Sequence, residues 1–204
     1  MNAPFKTPNT EAPLWDLTDL YASRDDAKVA ADLERARGLV EALNGLKGRL
    51  AADQDAKALG EALDRAIQLY EQASDVLGAL GAYAFLSAST ARDDATAQGF
   101  EADVREKITA IATPTVWLTL EINQIDDAAL EAALTAHAGA ARWRPWLRRV
   151  RAMKPHELSA ELETFIAERG PITAQWPRLF DEQLAALRAK AVHEELTLAE
   201  ALNR

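Results

Sequence analysis

An all-α chain is what this sequence predicts, and three observations predict it. Alanine and leucine make up much of a hydrophobic fraction of 49%, and both favour helix. Apolar residues recur at helical rather than alternating spacing through most of the chain. Capping residues stand before most of those runs. The longest run, Lys57 to Ser89, has no proline and sets Leu59, Leu63, Ile67, Tyr70, Leu77, Leu80 and Ala84 at helical spacing. A helix of that length spans about 50 Å, whereas a compact chain of this size has a radius of gyration of about 17 Å. The expectation is therefore an elongated multi-helix lobe built along this helix, or a break near Gly78 and Gly81. Between Val76 and Leu86 apolar residues cover almost the whole circumference, so this end should be buried on several sides.

The remaining elements follow in order. Residues 1–13 are rich in proline, threonine and asparagine and read as a flexible tail. Order should begin at Leu14-Trp15, with a short turn over Asp16 to Tyr21. Ser23 with Asp26 resembles a capping box opening a helix through Val29, Leu33, Ala36, Leu39, Val40 and Leu43. Asn44-Gly45 or Gly48 should end it, or the pattern runs on to Leu50. Asp55 is placed to cap the long helix. Asp94 should cap the next, which carries Phe100, Val104, Ile108 and Ile111, until Pro114 forces a kink or a restart. The pattern resumes with Val116, Trp117, Leu120 and Ile122. Asp126-Asp127 opens a helix holding Leu130 and Leu134 and closing near Gly139.

Arg142 to Lys154 is a basic stretch interleaved with Trp143 and Trp146, stopped by Pro155. Ser159 should cap a helix running to Arg169, with Gly170-Pro171 as its stop. A further helix is expected from Thr173 through Trp176, Leu179, Phe180, Leu184 and Leu187. A short extended segment is expected near 191–196. Thr197-Leu198-Ala199-Glu200 is another capping box, and only residues 198–204 remain once it is entered at Thr197. An isolated helix needs about 12–15 residues to be even marginal, so the chain is expected to continue in something longer. The predicted organisation is a tail at 1–13, a helical lobe at 14–190, and the start of a further domain at 191–204.

Composition excludes several classes of partner. The net charge of −9 argues against nucleic acid and against anionic membrane, since both call for a basic footprint. The absence of cysteine removes disulfides and thiolate metal sites and fits a reducing compartment. No apolar run approaches the roughly 20 residues that span a bilayer, and residues 1–13 lack the pattern of a signal peptide. The expectation is a soluble, cytoplasmic protein.

Candidate chemistry is sparse. His193-Glu194-Glu195-Leu196-Thr197 begins like the zinc-peptidase motif HExxH, but Thr197 stands where the second imidazole is needed and reads as a helix cap. His137 falls at a helix end, where the dipole favours a cation. His156 after Pro155 reads as a hydrogen-bonded structural histidine rather than an acid–base catalyst. There is no glycine-rich phosphate loop and no G-x-S-x-G elbow. The pairs Asp25-Asp26, Asp93-Asp94 and Asp126-Asp127 each precede a helix, whose N-terminus accounts for them. The basic stretch could hold a carboxylate through arginine forks; the simpler reading is a solvated face with arginine stems lying over the tryptophans. No catalytic, cofactor-binding or metal-binding residue is therefore assigned.

Five segments together resemble the N-terminal region of the oligoendopeptidase F family, zinc metallopeptidases related to thimet oligopeptidase. Trp15-Asp16-Leu17-Thr18-Asp19-Leu20-Tyr21 is similar to the family's W-D-L-x-x-L-[YF] opening. Tyr83-Ala84-Phe85-Leu86 with Asp93 or Asp94 and Gln98 resembles its Y-A-x-L…D…Q stretch. Trp117-Leu118-Thr119-Leu120-Glu121-Ile122 falls where the family has an aromatic and then Glu-Leu. Lys154-Pro155-His156-Glu157-Leu158-Ser159, with Glu161 and Glu163, resembles H-x-L-S-x-x-x-E, and Trp176 to Glu182 resembles A-W-x-x-L-F-x-E. The resemblance implies a mainly helical protease in which HExxH and a further glutamate hold one zinc, and in which this lobe walls a deep cleft that admits short peptides. None of the zinc-binding positions lies in these residues. By this resemblance the chain alone is expected to be inactive, with oligopeptides as partners of the whole enzyme and the isolated lobe able to self-associate. The alternative is a free-standing helical interaction module without catalytic activity.

Overall fold

A computed structural model describes residues 16–50, 55–91, 94–190 and 195–202. The predicted tail and the anchor at Leu14-Trp15 lie outside the described residues. Helix α1 spans Ala27–Asn44, α2 Ala56–Thr90, α3 Ala95–Ala112, α4 Trp117–Gln124 and α5 Asp127–Ala136. Helix α6 follows at Ala138–Ala141, α7 at Arg144–Ala152, α8 at Ala160–Ala186 and α9 at Leu198–Leu202. Two short strands, β1 (Arg188–Lys190) and β2 (Glu195–Thr197), pair antiparallel with Ala189 opposite Leu196. The all-α fold class holds, with this small ribbon as its only strand pair among the described residues.

Helix α2 is the spine, and it does not break. Asp55 caps it by accepting from the Lys57 and Ala58 amides, and it runs unbroken through Gly78 and Gly81 for 35 residues. Its first half packs Leu59, Leu63, Ile67 and Leu69 against Trp117, Leu118, Ile122, Leu130 and Leu147. Its second half packs Val76, Leu77, Leu80 and Tyr83 against Tyr21, Val29, Leu33, Val104 and Ile111. One face of this second half departs from expectation, because Phe85 is 57% exposed.

Gly60 lets α2 and α5 approach. A Cβ there would lie 2.5 Å from His137 Cβ and 2.8 Å from the Ala133 carbonyl oxygen. Two polar links, one part-buried and one exposed, fix the turn after α1. Trp117 Nε1 donates to Asn44 Oδ1 at 2.7 Å, and the Gly48 amide donates to Glu121 at 2.9 Å. Gly48 itself takes φ +80°, a left-handed conformation that glycine adopts without a Cβ penalty.

Four boundaries correct the expectation. Asp26, not Ser23, caps α1, because its carboxylate accepts from both the Lys28 and Ala22 amides. Helix α5 ends at Ala136 rather than near Gly139, since His137 leaves helical geometry and caps α6 through Nδ1, which accepts from the Ala140 amide at 3.1 Å. Helix α8 passes straight through Gly170-Pro171 and through Pro177, so no new helix starts at Thr173. Each proline removes one backbone donor, but the helix formers on both sides carry the turn across. The extended segment begins at Arg188, earlier than expected, and its middle, 191–194, lies outside the described residues. Thr197 and Glu200 form the predicted reciprocal box, with the Thr197 amide donating to Glu200 at 2.8 Å.

Candidate functional site

The five family-like segments meet in pairs. Tyr21 of the first packs on Tyr83 of the second with ring centroids 5.1 Å apart, and its hydroxyl donates to Asp32 at 2.9 Å. Burial, then Asp32 and Asp26, push the Tyr21 phenol well above its ordinary value. These residues are core joints. Asp94 caps α3 and binds Arg24 at 2.9 Å. Its bonds from Thr96 and Arg24 hold that carboxyl down to about 2. Gln98 closes the end of α2 by donating to the Ala88 carbonyl at 2.9 Å.

The second and last segments also meet, across a cavity of about 550 Å³ between α2, α3 and α8. Phe85 and Gln98 face Pro177, Arg178, Asp181 and Glu182 around it. Glu101, only 7% exposed, stands in its wall and pairs with Arg105 of its own helix and with Arg178 of α8 at 3.8 Å. Removing one partner of a buried charge leaves the other uncompensated, which is costlier than never having had the pair. Glu101 thus ties α8 to the lobe, and Glu182 steadies Arg178 at 2.8 Å.

The third and fourth segments bound a second cavity of about 330 Å³, where Thr119 and Leu120 face His156, Glu157 and Glu163. Ser159 caps α8 by accepting from the Leu162 amide, while Glu163 reaches back to accept from the Leu158 amide at 3.0 Å. Much of that segment is thus a capping device. Asn123, beside the third segment, is 1% exposed. Its amide nitrogen donates to Glu157 and to the Val150 carbonyl.

The basic stretch keeps one part of the simpler reading, an arginine over a tryptophan, and adds ion pairs within the lobe. Arg142 lies over the Trp143 ring at 4.3 Å and within 3.7 Å of Asp64. Arg144 binds Glu131 at 2.6 Å. Arg151 binds Asp127 and the Ile122 carbonyl. Three arginines are thus engaged by acids and a carbonyl from α2, α4 and α5, while Arg148 and Arg149 have no acidic partner among the described residues. Asp64 also accepts from Trp143 Nε1 at 2.8 Å. Burial alone would raise its carboxyl, but hydrogen bonds from Gln68 and Trp143, with the charges of Arg142 and His137, leave it below the usual range.

The histidines take ordinary places. His137 caps α6, its Nδ1 accepting from the Ala140 amide, and stands 4.0 Å from Asp64. His156 is exposed, and its ring has no hydrogen bond among the described residues, because the 3₁₀ turn Lys154–His156 presents it to solvent. His193 lies outside the described residues, and Thr197 of that segment caps a helix, its hydroxyl accepting from the Glu200 amide. Among the described residues, no group of three or more histidine, cysteine, aspartate or glutamate side chains could hold a metal ion. The described residues therefore do not fit zinc. Nor is any described helix long and apolar enough to cross a membrane.

Fold and cavities define a helical lobe whose most distinctive side chains join distant segments. Compared with protein families, residues 121–188 match the peptidase M3 N-terminal family model described as Oligopeptidase F. The match makes that stretch, about a third of the chain, similar to the N-terminal region of the oligoendopeptidase F family. It runs from within α4 to the first residue of β1 and takes in the basic stretch, part of the lining of the second cavity and all of α8. No curated protein and no solved structure matches the chain.

Proposed function

We propose that this chain is the N-terminal lobe of an oligoendopeptidase F-type zinc metallopeptidase of the cytoplasm, and that its part is to shape the cleft that admits oligopeptides. The zinc motif and the attacking water belong to another segment of the enzyme, for these 204 residues contain no HExxH. The observation that carries the reading is α8. It lies within the matched region, it has no buried residue over its 27 positions, and it displays Leu162, Phe165, Ile166, Ile172, Trp176 and Phe180 to solvent. A contiguous apolar face of that extent marks an interaction surface, and the catalytic half of the enzyme is the body that covers it.

The test joins the chain to a segment carrying HExxH and compares both forms on a quenched fluorescent peptide, with zinc measured by elemental analysis. Turnover by the joined protein, and neither turnover nor stoichiometric zinc in the chain alone, is the expected result. Zinc at one per chain with turnover by these residues alone overturns the division of labour. The same exposed face also favours a second reading, a free-standing interaction module. In that case a hydrophobic dye bound to α8 stays bound after joining, whereas docking of the catalytic half displaces it. The separated lobe is expected to self-associate through this face, which sedimentation measures.

A further inference from the structure

Helix α8 has two unlike sides. Thr164, Ala167, Pro171, Ala174 and Arg178 recur at spacings of three and four and form a partly buried line toward α3 and the turn at Thr113–Thr115. Apart from Arg178, held by Glu101 of α3 and by Glu182, these are small side chains. Leu162, Phe165, Ile166, Ile172, Trp176 and Phe180 lie away from that line, each half exposed or more. A surface helix ordinarily turns its apolar bulk inward. The bulky side of α8 instead awaits cover from outside the lobe.

One charge stands in the middle of that bulky side. The helical neighbours of Arg169, three and four positions away in each direction, are Phe165, Ile166, Ile172 and Thr173. None is an acid that could pair with it along the helix. Its guanidinium lies over the Phe165 ring at 5.4 Å and has no acidic partner among the described residues. Arg178 shows the contrast, since Glu182 one turn on engages it at 2.8 Å. Covering the bulky side takes Arg169 out of water. A desolvated charge is tolerated only when it is paired, and the planar guanidinium fork matches a carboxylate.

We infer that the surface covering α8 presents a carboxylate to Arg169 from within an apolar patch, and that this pair sets the register of the docked helix. That the covering body is the catalytic half rests on the reading above; the carboxylate is the new element. A second copy of α8 is the poorer occupant. Positions 162, 165, 166, 169, 172, 173, 176 and 180 on its bulky side hold another arginine and no acid, so two copies bring like charges into one apolar contact.

Arg169→Leu tests the pair through the sign of its effect. Where a carboxylate faces Arg169, removing the cation strands that carboxylate in an apolar contact, and docking weakens. Where none does, the same change relieves a lone buried charge, and docking tightens. The assay is hydrogen exchange of the α8 amides in the chain joined to a segment carrying HExxH, with helicity at 222 nm to show that the variant is folded. Exchange about tenfold faster in Arg169→Leu is expected, with Arg169→Lys between it and wild type. In the 204-residue chain alone, where a second copy offers no acid, Arg169→Leu should self-associate about tenfold more tightly by sedimentation. Exchange in the joined protein that Arg169→Leu leaves unchanged or slows overturns the carboxylate and leaves the cleft reading standing. So does self-association that the variant fails to tighten. Wild-type α8 amides no better protected in the joined protein than in the chain alone overturn both.

Discussion

Gly60 and Gly78 sit on the same helix, and replacing each by alanine should move stability in opposite directions. The gain common to both is helix propensity, about 1 kcal/mol for glycine to alanine in a helix interior. At Gly78 nothing lies within 4 Å of the added methyl, so that gain is the whole effect. At Gly60 the methyl would stand 2.5 Å from His137 Cβ and 2.8 Å from the Ala133 oxygen, where ordinary contact is 3.4–4 Å. The end of α5 must retreat by close to an ångström, and overpacking of this kind costs about 1–3 kcal/mol. Two variants of identical chemistry should therefore differ by about 1–3 kcal/mol. For a domain of this length that is a separation of roughly 2–12 °C in midpoint at about 2–4 °C per kcal/mol. Urea and thermal unfolding followed at 222 nm on both variants measure it. If Gly60→Ala proves as stable as Gly78→Ala, the close approach of α2 and α5 is wrong.

Three further outcomes follow from named groups. The Tyr21 phenol is raised by burial and by Asp32, so its contribution to stability is full below the ordinary value of 10.0 and is lost as pH rises through the folded value. The absorbance difference between wild type and Tyr21→Phe should titrate above free tyrosine, and a midpoint at the ordinary value refutes the buried bond to Asp32. Asp94 is held to about 2 by Thr96 and Arg24. Its contribution is therefore present above 3.8 and lost as pH falls through the folded value. Asp94→Asn should flatten the acid limb of the stability profile across that window, and an unchanged limb counts against the cap. Pro171→Ala restores a backbone donor inside α8, where proline costs up to about 3 kcal/mol. Hydrogen exchange of the α8 amides should slow, and a helix no better protected contradicts its continuity through that position.

Local signals were the legible part of the fold. Asp55, Asp94 and Asp126 could be read as caps because an N-terminal cap needs only a short side chain and the two or three amides after it. The apolar stripe of α2 was readable for the same reason. Boundaries failed where two local signals competed. Ser23 and Asp26 can both cap, and the second carboxylate oxygen of Asp26, taken by the Ala22 amide, decides between them. Gly170-Pro171 carries a stop signal that the flanking turns override. Gly60 gave no sign of its role, since the chain that crowds it lies more than 70 positions away. The candidate sites were less legible still. Family-like segments are visible in the sequence one by one, but not that they pair across the lobe, and the third ends at Ile122, one position before Asn123. Asn123 stands among Glu121, Gln124 and Asp126, so nothing in the sequence marked it as buried.

Both apolar clusters of the lobe are strung on α2, the first along Leu59 to Leu69 and the second along Ala73 to Ala84. A helix propagates residue by residue once begun, so loss of order in either half withdraws the template on which the other assembles. The two halves are mechanically in series rather than independent. Heating should therefore melt α1 to α7 in a single calorimetric transition, while α8, tied on mainly through Glu101 and Arg178, comes loose first.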